Sequence, residues 1–121
     1  MKCQIEAQSL RFRIDESELE RLLCDGILEA QTQLGEGVSQ TRVLRLSDVV
    51  APMLGVDATA WTVTLPRAEF VAFANERPRR DGFDFDWPAG DVMLTVSVQV
   101  DVRDSRRRAH AEGLSSAQRS R

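Results

Sequence analysis

Residues 9–34 read SLRFRIDESELERLLCDGILEAQTQL, and the changes of rhythm within this stretch decide the fold class. Leu10, Phe12 and Ile14 alternate with Arg11 and Arg13, the period of a β-strand with one dry face. At Asp15 the period lengthens. Asp15 with Glu18 three positions on makes a capping-box pattern, Glu16, Glu18 and Glu20 suit the positive end of a helix dipole, and Leu19, Leu22 and Leu23 form an apolar stripe. Gly26 supplies the stop. From Ile27 the period returns to two, with Leu28, Ala30, Thr32 and Leu34 opposite Glu29, Gln31 and Gln33. Strand, helix and strand thus follow one another with short joints.

The same signals extend outward. KCQIE at 2–6 alternates and pairs naturally with 10–14 as a hairpin. GEG at 35–37 turns the chain, and TRVLRLS at 41–47 predicts a strand with Leu44 and Leu46 inward. DVVAPMLGVD at 48–57 stays ambiguous, because Pro52 and Gly55 interrupt an otherwise helix-compatible pattern. TAWTVTLP at 59–66 is a strand with Trp61, Val63 and Leu65 on one side. Pro66 then suits the first turn of a second helix, which presents Phe70, Phe73 and Ala74 to the core. FDFDW at 83–87 reads as a short strand, and DVMLTVSVQVDV at 91–102 alternates without a fault, predicting a half-buried antiparallel strand. No internal repeat is visible. The sum is α+β: a mostly antiparallel sheet of about five to seven strands, with two short helices packed on one face.

A chain of 121 residues, 42% hydrophobic and 29% charged, is sized for a single globular domain. We assign that domain to residues 1–102. The net charge of −3 is unevenly spread: from Arg103 onward six arginines stand against Asp104 and Glu112, a balance of +4 that leaves −7 on residues 1–102. Residues 103–121 hold one leucine and no aromatic side chain, so they are expected to be a disordered, arginine-rich tail. An acidic body argues against a duplex-binding face, leaving at most a loose, charge-driven touch on nucleic acid through the tail. No run reaches the about 20 apolar residues of a membrane span. Glu6, Arg11 and Arg13 interrupt the apolar segment that a signal peptide needs, so the expected compartment is the cytoplasm. Cys3 and Cys24 are then reduced thiols, expected to behave as small buried hydrophobes.

Within 1–29, the motifs SLRFR and SELE, and near the end LTVSVQVD, carry a family likeness. They resemble a group of small uncharacterised bacterial proteins that open M-K-I-R-I-x-x-N-S-L-R-L-R-L-T-x-S-E-V and close on a strand of the type L-x-I-x-V-E-K-D-F. The resemblance implies this order of elements over most of residues 1–102. It implies no activity, because the group is a domain of unknown function. The chain departs from the pattern at Ala7 and Gln8, which stand near the group's turn glycine and asparagine, and at QVD in place of E-K-D.

Two clusters invite a functional reading. Arg11 and Arg13, with Arg42 and Arg45 from another strand, could form a basic patch gripping a phosphate or carboxylate. The plainer account makes them the wet side of their strands, paired across the sheet with Glu6, Glu29 or Asp101. Asp81, Asp84, Asp86 and Asp91 could offer oxygens to a hard cation, but their spacing is not that of a calcium loop, and a solvated edge is the simpler account. With no tyrosine, one lysine, its single histidine in the tail, and no nucleophile or phosphate-loop motif, the chain leans away from enzymes. No metal or cofactor is implied. The expectation is a non-enzymatic binding domain that contacts a protein partner or a second copy of itself. The alternative is an enzyme or regulator that handles an anionic small molecule through Arg11 and Arg13.

Overall fold

The computed structural model describes residues 1–76 and 81–101. The tail expected at 103–121 lies outside the described residues. The element order is β1 (Lys2–Glu6), β2 (Ser9–Ile14), α1 (Glu16–Asp25), β3 (Ile27–Gly35), β4 (Val38–Ser47), β5 (Met53–Val56), β6 (Ala60–Pro66), α2 (Arg67–Ala74), β7 (Phe83–Ala89) and β8 (Val92–Val100). No helix among the described residues is long and apolar enough to cross a membrane.

The α+β expectation holds, but the sheet differs from the one expected. Among the described residues eight strands form two mixed four-stranded sheets, ordered β1-β2-β8-β7 and β3-β4-β6-β5. Each is two antiparallel hairpins joined through a parallel central pair, β2 with β8 and β4 with β6. Alternation reveals hairpins because a hairpin is local. It is blind to which hairpins become neighbours, because that pairing spans most of the chain. The faultless last strand is therefore a central one, parallel to β2 on one side and antiparallel to β7 on the other. The ambiguous 48–57 stretch contributes β5, whose Pro52 stands just outside the strand, where no ladder hydrogen bond is lost.

The structure also contains a repeat that the sequence conceals. Hairpin, helix, hairpin occurs twice, as β1β2-α1-β3β4 and β5β6-α2-β7β8. The registers correspond. Lys2 faces Arg13 as Met53 faces Thr64, and Leu10 faces Val96 as Trp61 faces Arg42. Both sheets are built from one hairpin of each half, so neither half closes a sheet by itself. Parallel pairing also puts the hairpin turns of each sheet at one end. The two helices connect the strand ends opposite to those turns.

One hydrophobic cluster joins both sheets and both helices: Phe12 and Ile14 of β2, Leu19 and Leu22 of α1, Leu44 of β4, Val63 and Leu65 of β6, Phe70 of α2, and Val96 and Val98 of β8. The helix ends follow the sequence logic. Asp15 accepts from the Glu18 N–H at 2.8 Å while the Glu18 carboxylate accepts from the Asp15 N–H at 3.0 Å, closing the capping box. Gly26 ends α1 at φ 79°, and its carbonyl accepts from Leu46 N–H at 2.9 Å, tying the helix end to β4. Edge-on stacking of Phe83 on Phe70 and Phe73, at 5.5 and 5.7 Å between ring centroids, fastens α2 to β7.

Cys24 corrects the expectation of a buried thiol. It is exposed, because it falls off the Leu19–Leu22 stripe of α1, whereas Cys3 is half-buried opposite Phe12. At the β1–β2 turn, Ala7 holds φ 50°, the left-handed region that glycine and asparagine enter most cheaply. Replacing Ala7→Gly should therefore raise unfolding stability by about 0.5 kcal/mol, the relief of strain outweighing the added freedom of the unfolded chain. A urea unfolding curve with a higher midpoint and unchanged slope checks this.

Candidate functional site

Strand parity sorts the four arginines at once. Arg11 and Arg13 lie on the outer face of the first sheet, since Leu10, Phe12 and Ile14 are buried on the other. Arg45 lies on the outer face of the second sheet, exposed between Ile27 and Thr64. Arg42 shares the parity of buried Leu44 and Leu46 and so belongs to the inner face. The four-arginine patch does not form; its members are divided between two sheets and three faces.

The outer face of the first sheet carries charge on both flanks. Lys2, Glu6, Arg11 and Arg13 occupy β1 and β2, and Asp84 and Asp86 occupy β7. Between them β8 supplies Thr95, Ser97 and Gln99. The Ser97 and Thr95 hydroxyls donate to Asp84 and Asp86, so those acids are engaged by the sheet itself. Gly82 lies close under this row: a Cβ there would collide with Ser97 Oγ, Gln99 and Asp84. Among the described residues no three metal-ligating side chains converge on one point.

Arg13 has a partner. Its guanidinium lies 3.8 Å from Asp101, which directly follows β8, diagonal to Arg13, as the plainer reading of the alternation expected. Arg11 differs. Its Nε is buried with no acceptor, and no described carboxylate lies within ion-pair distance. Arg11 also borders a shallow depression of about 430 Å³ shared with Gln4, Ile5, Glu6 and Ser9 at the β1–β2 corner.

The inner faces hold a second polar group that alternation could have revealed, had Arg42 been placed by the parity of its neighbours. Moving toward the turn end of the second sheet, the inward row Leu28, Leu44, Val63 and Leu54 gives way to Ala30, Arg42, Trp61 and Val56, and then to Thr32 and Gln40. Arg42 Nη2 donates to Thr32 Oγ1 at 2.9 Å. Arg42 Nε and Gln40 Nε2 are buried without an acceptor. Arg42 also faces the other sheet: burial pushes the Cys3 thiol above its ordinary value, and the Arg42 charge pulls it partly back.

Neither family models nor curated proteins give a match to this chain.

Two outcomes follow from this geometry. Cys24 should alkylate with iodoacetamide well before Cys3 at neutral pH, because Cys3 is half-buried and held as the thiol. Peptide mapping by mass spectrometry reads the order. Arg42→Met keeps the aliphatic stem and removes a buried donor that has no acceptor, so it should stabilise the fold by about 1 kcal/mol in urea unfolding.

Proposed function

We propose that this chain is a small non-enzymatic binding domain that takes a protein partner on the outer face of its first sheet, with Arg11 as the anchor. The partner is an extended segment carrying a carboxylate, laid against the exposed edge strand β1. The observation that carries this reading is Arg11: a guanidinium with a buried, unpartnered Nε beside a depression at a sheet edge. A carboxylate from outside would supply the missing acceptor, and charged hydrogen bonds of this kind are the strong ones. The edge of β1 supplies free backbone donors and acceptors to an added strand. Membership of the uncharacterised bacterial group, on SLRFR, SELE and LTVSVQVD, is part of the same proposal and adds no chemistry to it.

The alternative, an anionic small molecule gripped by Arg11 and Arg13 together, is supported less well. Asp101 already engages Arg13, so the pair does not offer two free forks.

The test is an NMR titration of the labelled chain with a capped Val-Glu-Val-Glu-Val-Glu peptide. Saturable shifts confined to the amides of Gln4, Ile5, Glu6, Ser9 and Arg11, weakened about tenfold or more in Arg11→Gln, are expected. An unresponsive wild-type spectrum, or equal binding by Arg11→Gln, would overturn the reading.

A further inference from the structure

We infer a ligand site of a different kind at the turn end between the sheets, where Arg42 and Gln40 hold the carboxylate of a small amphipathic acid whose apolar part lies against Trp61 and Val56.

The first support is the pair of unsatisfied donors. Arg42 Nε and Gln40 Nε2 are both buried and lack acceptors, and their residues stand two apart on one face of β4. An unmet buried donor destabilises a fold, so two together are either a defect or a place where an acceptor binds. Thr32 Oγ1 holds Arg42 Nη2, so the guanidinium is oriented without a ligand.

The second support is the apolar setting. Trp61 is the cross-strand neighbour of Arg42, with Val56 on the far side of Trp61. Val56 is 62% exposed, and Ile5, at the turn end of β1, is 64% exposed. Oriented donors beside uncovered apolar surface match a molecule with one charged head and a greasy body. The acidic body of the chain, −7 over residues 1–102, favours one negative charge over several.

The third support is internal. Register equivalence between the two halves places Val96 where Arg42 stands and Leu94 where Gln40 stands. Val96 is wholly buried and Leu94 packs against the core. The fold therefore has an apolar solution at these two positions, and uses it in one half. Nothing in the architecture requires Arg42 and Gln40.

Hexanoate is the probe, with hexanol and inorganic phosphate as comparators, read by tryptophan fluorescence and by thermal shift on the full chain. Hexanoate should bind saturably, hexanol and phosphate each at least about tenfold more weakly. Arg42→Met should weaken hexanoate about tenfold or more, and Gln40→Leu several-fold. Trp61→Phe should remove most of the fluorescence response while the thermal shift persists. Arg11→Gln should bind hexanoate as the wild type does, which separates this site from the outer face of the first sheet. The inference falls if hexanoate does not saturate, which would mean that ordered water alone meets the donors. It falls equally if hexanol or phosphate matches hexanoate, or if Arg42→Met binds unchanged. Should Arg42→Met fold poorly by circular dichroism, Gln40→Leu decides by the same criterion.

Discussion

Two parallel strand pairings carry the molecule. β2 beside β8 and β4 beside β6 each join the first half of the chain to the second. A lone hairpin is marginal in water, and within each half the strands pair only as hairpins. Pairing across the halves makes both sheets at once and brings Phe12 and Val98 together in one sheet, Leu44 and Val63 in the other. Those four side chains are fully buried, and they belong to the single cluster into which the helices also pack. Losing either central pair would uncover the core and strand two hairpins together.

The same pairing sets the polarity of the molecule. Parallel central strands send both helices to one end of the sheets and leave the hairpin turns at the other. At the helix end, Leu19, Leu22, Phe70 and Phe73 are buried in the common cluster. At the turn end no described helix is available, and the inward rows run out into Trp61, Arg42, Thr32 and Gln40. Polar side chains on an inner face are tolerable there because water can reach the edge of the row. Arg42 and Gln40 remain only partly shielded as residues even though single nitrogens are buried. The turn end is thus where this fold can carry polar groups between its layers at the smallest cost.

What the sequence made legible was local. The Asp15–Glu18 capping box, the Gly26 stop, the α2 aromatics and the inward alternation of Leu44 and Leu46 all stand in the structure as read. What it hid was non-local: the split into two sheets, the parallel pairings and the duplication. The repeat escaped notice because its halves keep burial rather than residue identity, with Leu10, Phe12 and Ile14 answered by Trp61, Val63 and Leu65. The site was legible in part. Parity gave Arg11 and Arg13 their outward face, and Asp101 as a partner for Arg13 was within reach of cross-strand reasoning. Grouping Arg42 with them failed for a readable reason, since alternation through Leu44 already turned it inward. That Arg11 lacks a carboxylate could not be read, because it depends on which strand lies beside β2.

A duplicated fold offers its own control, because each position has a partner under nearly the same backbone constraints. Most inward positions keep their character across the two halves: Phe12 with Val63, Ile14 with Leu65, Leu19 with Phe70, Leu22 with Phe73. Packing enforces this, since a buried row accepts volume changes more readily than it accepts charge. Arg42 against Val96 and Gln40 against Leu94 break the pattern in the direction that packing resists. Thr32 against Trp87 breaks it in the same row, and Thr32 is the residue that steers Arg42. Three departures at neighbouring register positions, two of them joined by a hydrogen bond, are hard to attribute to drift at unrelated positions. They form one polar unit at the turn end, set into a framework whose other half is apolar at the same places.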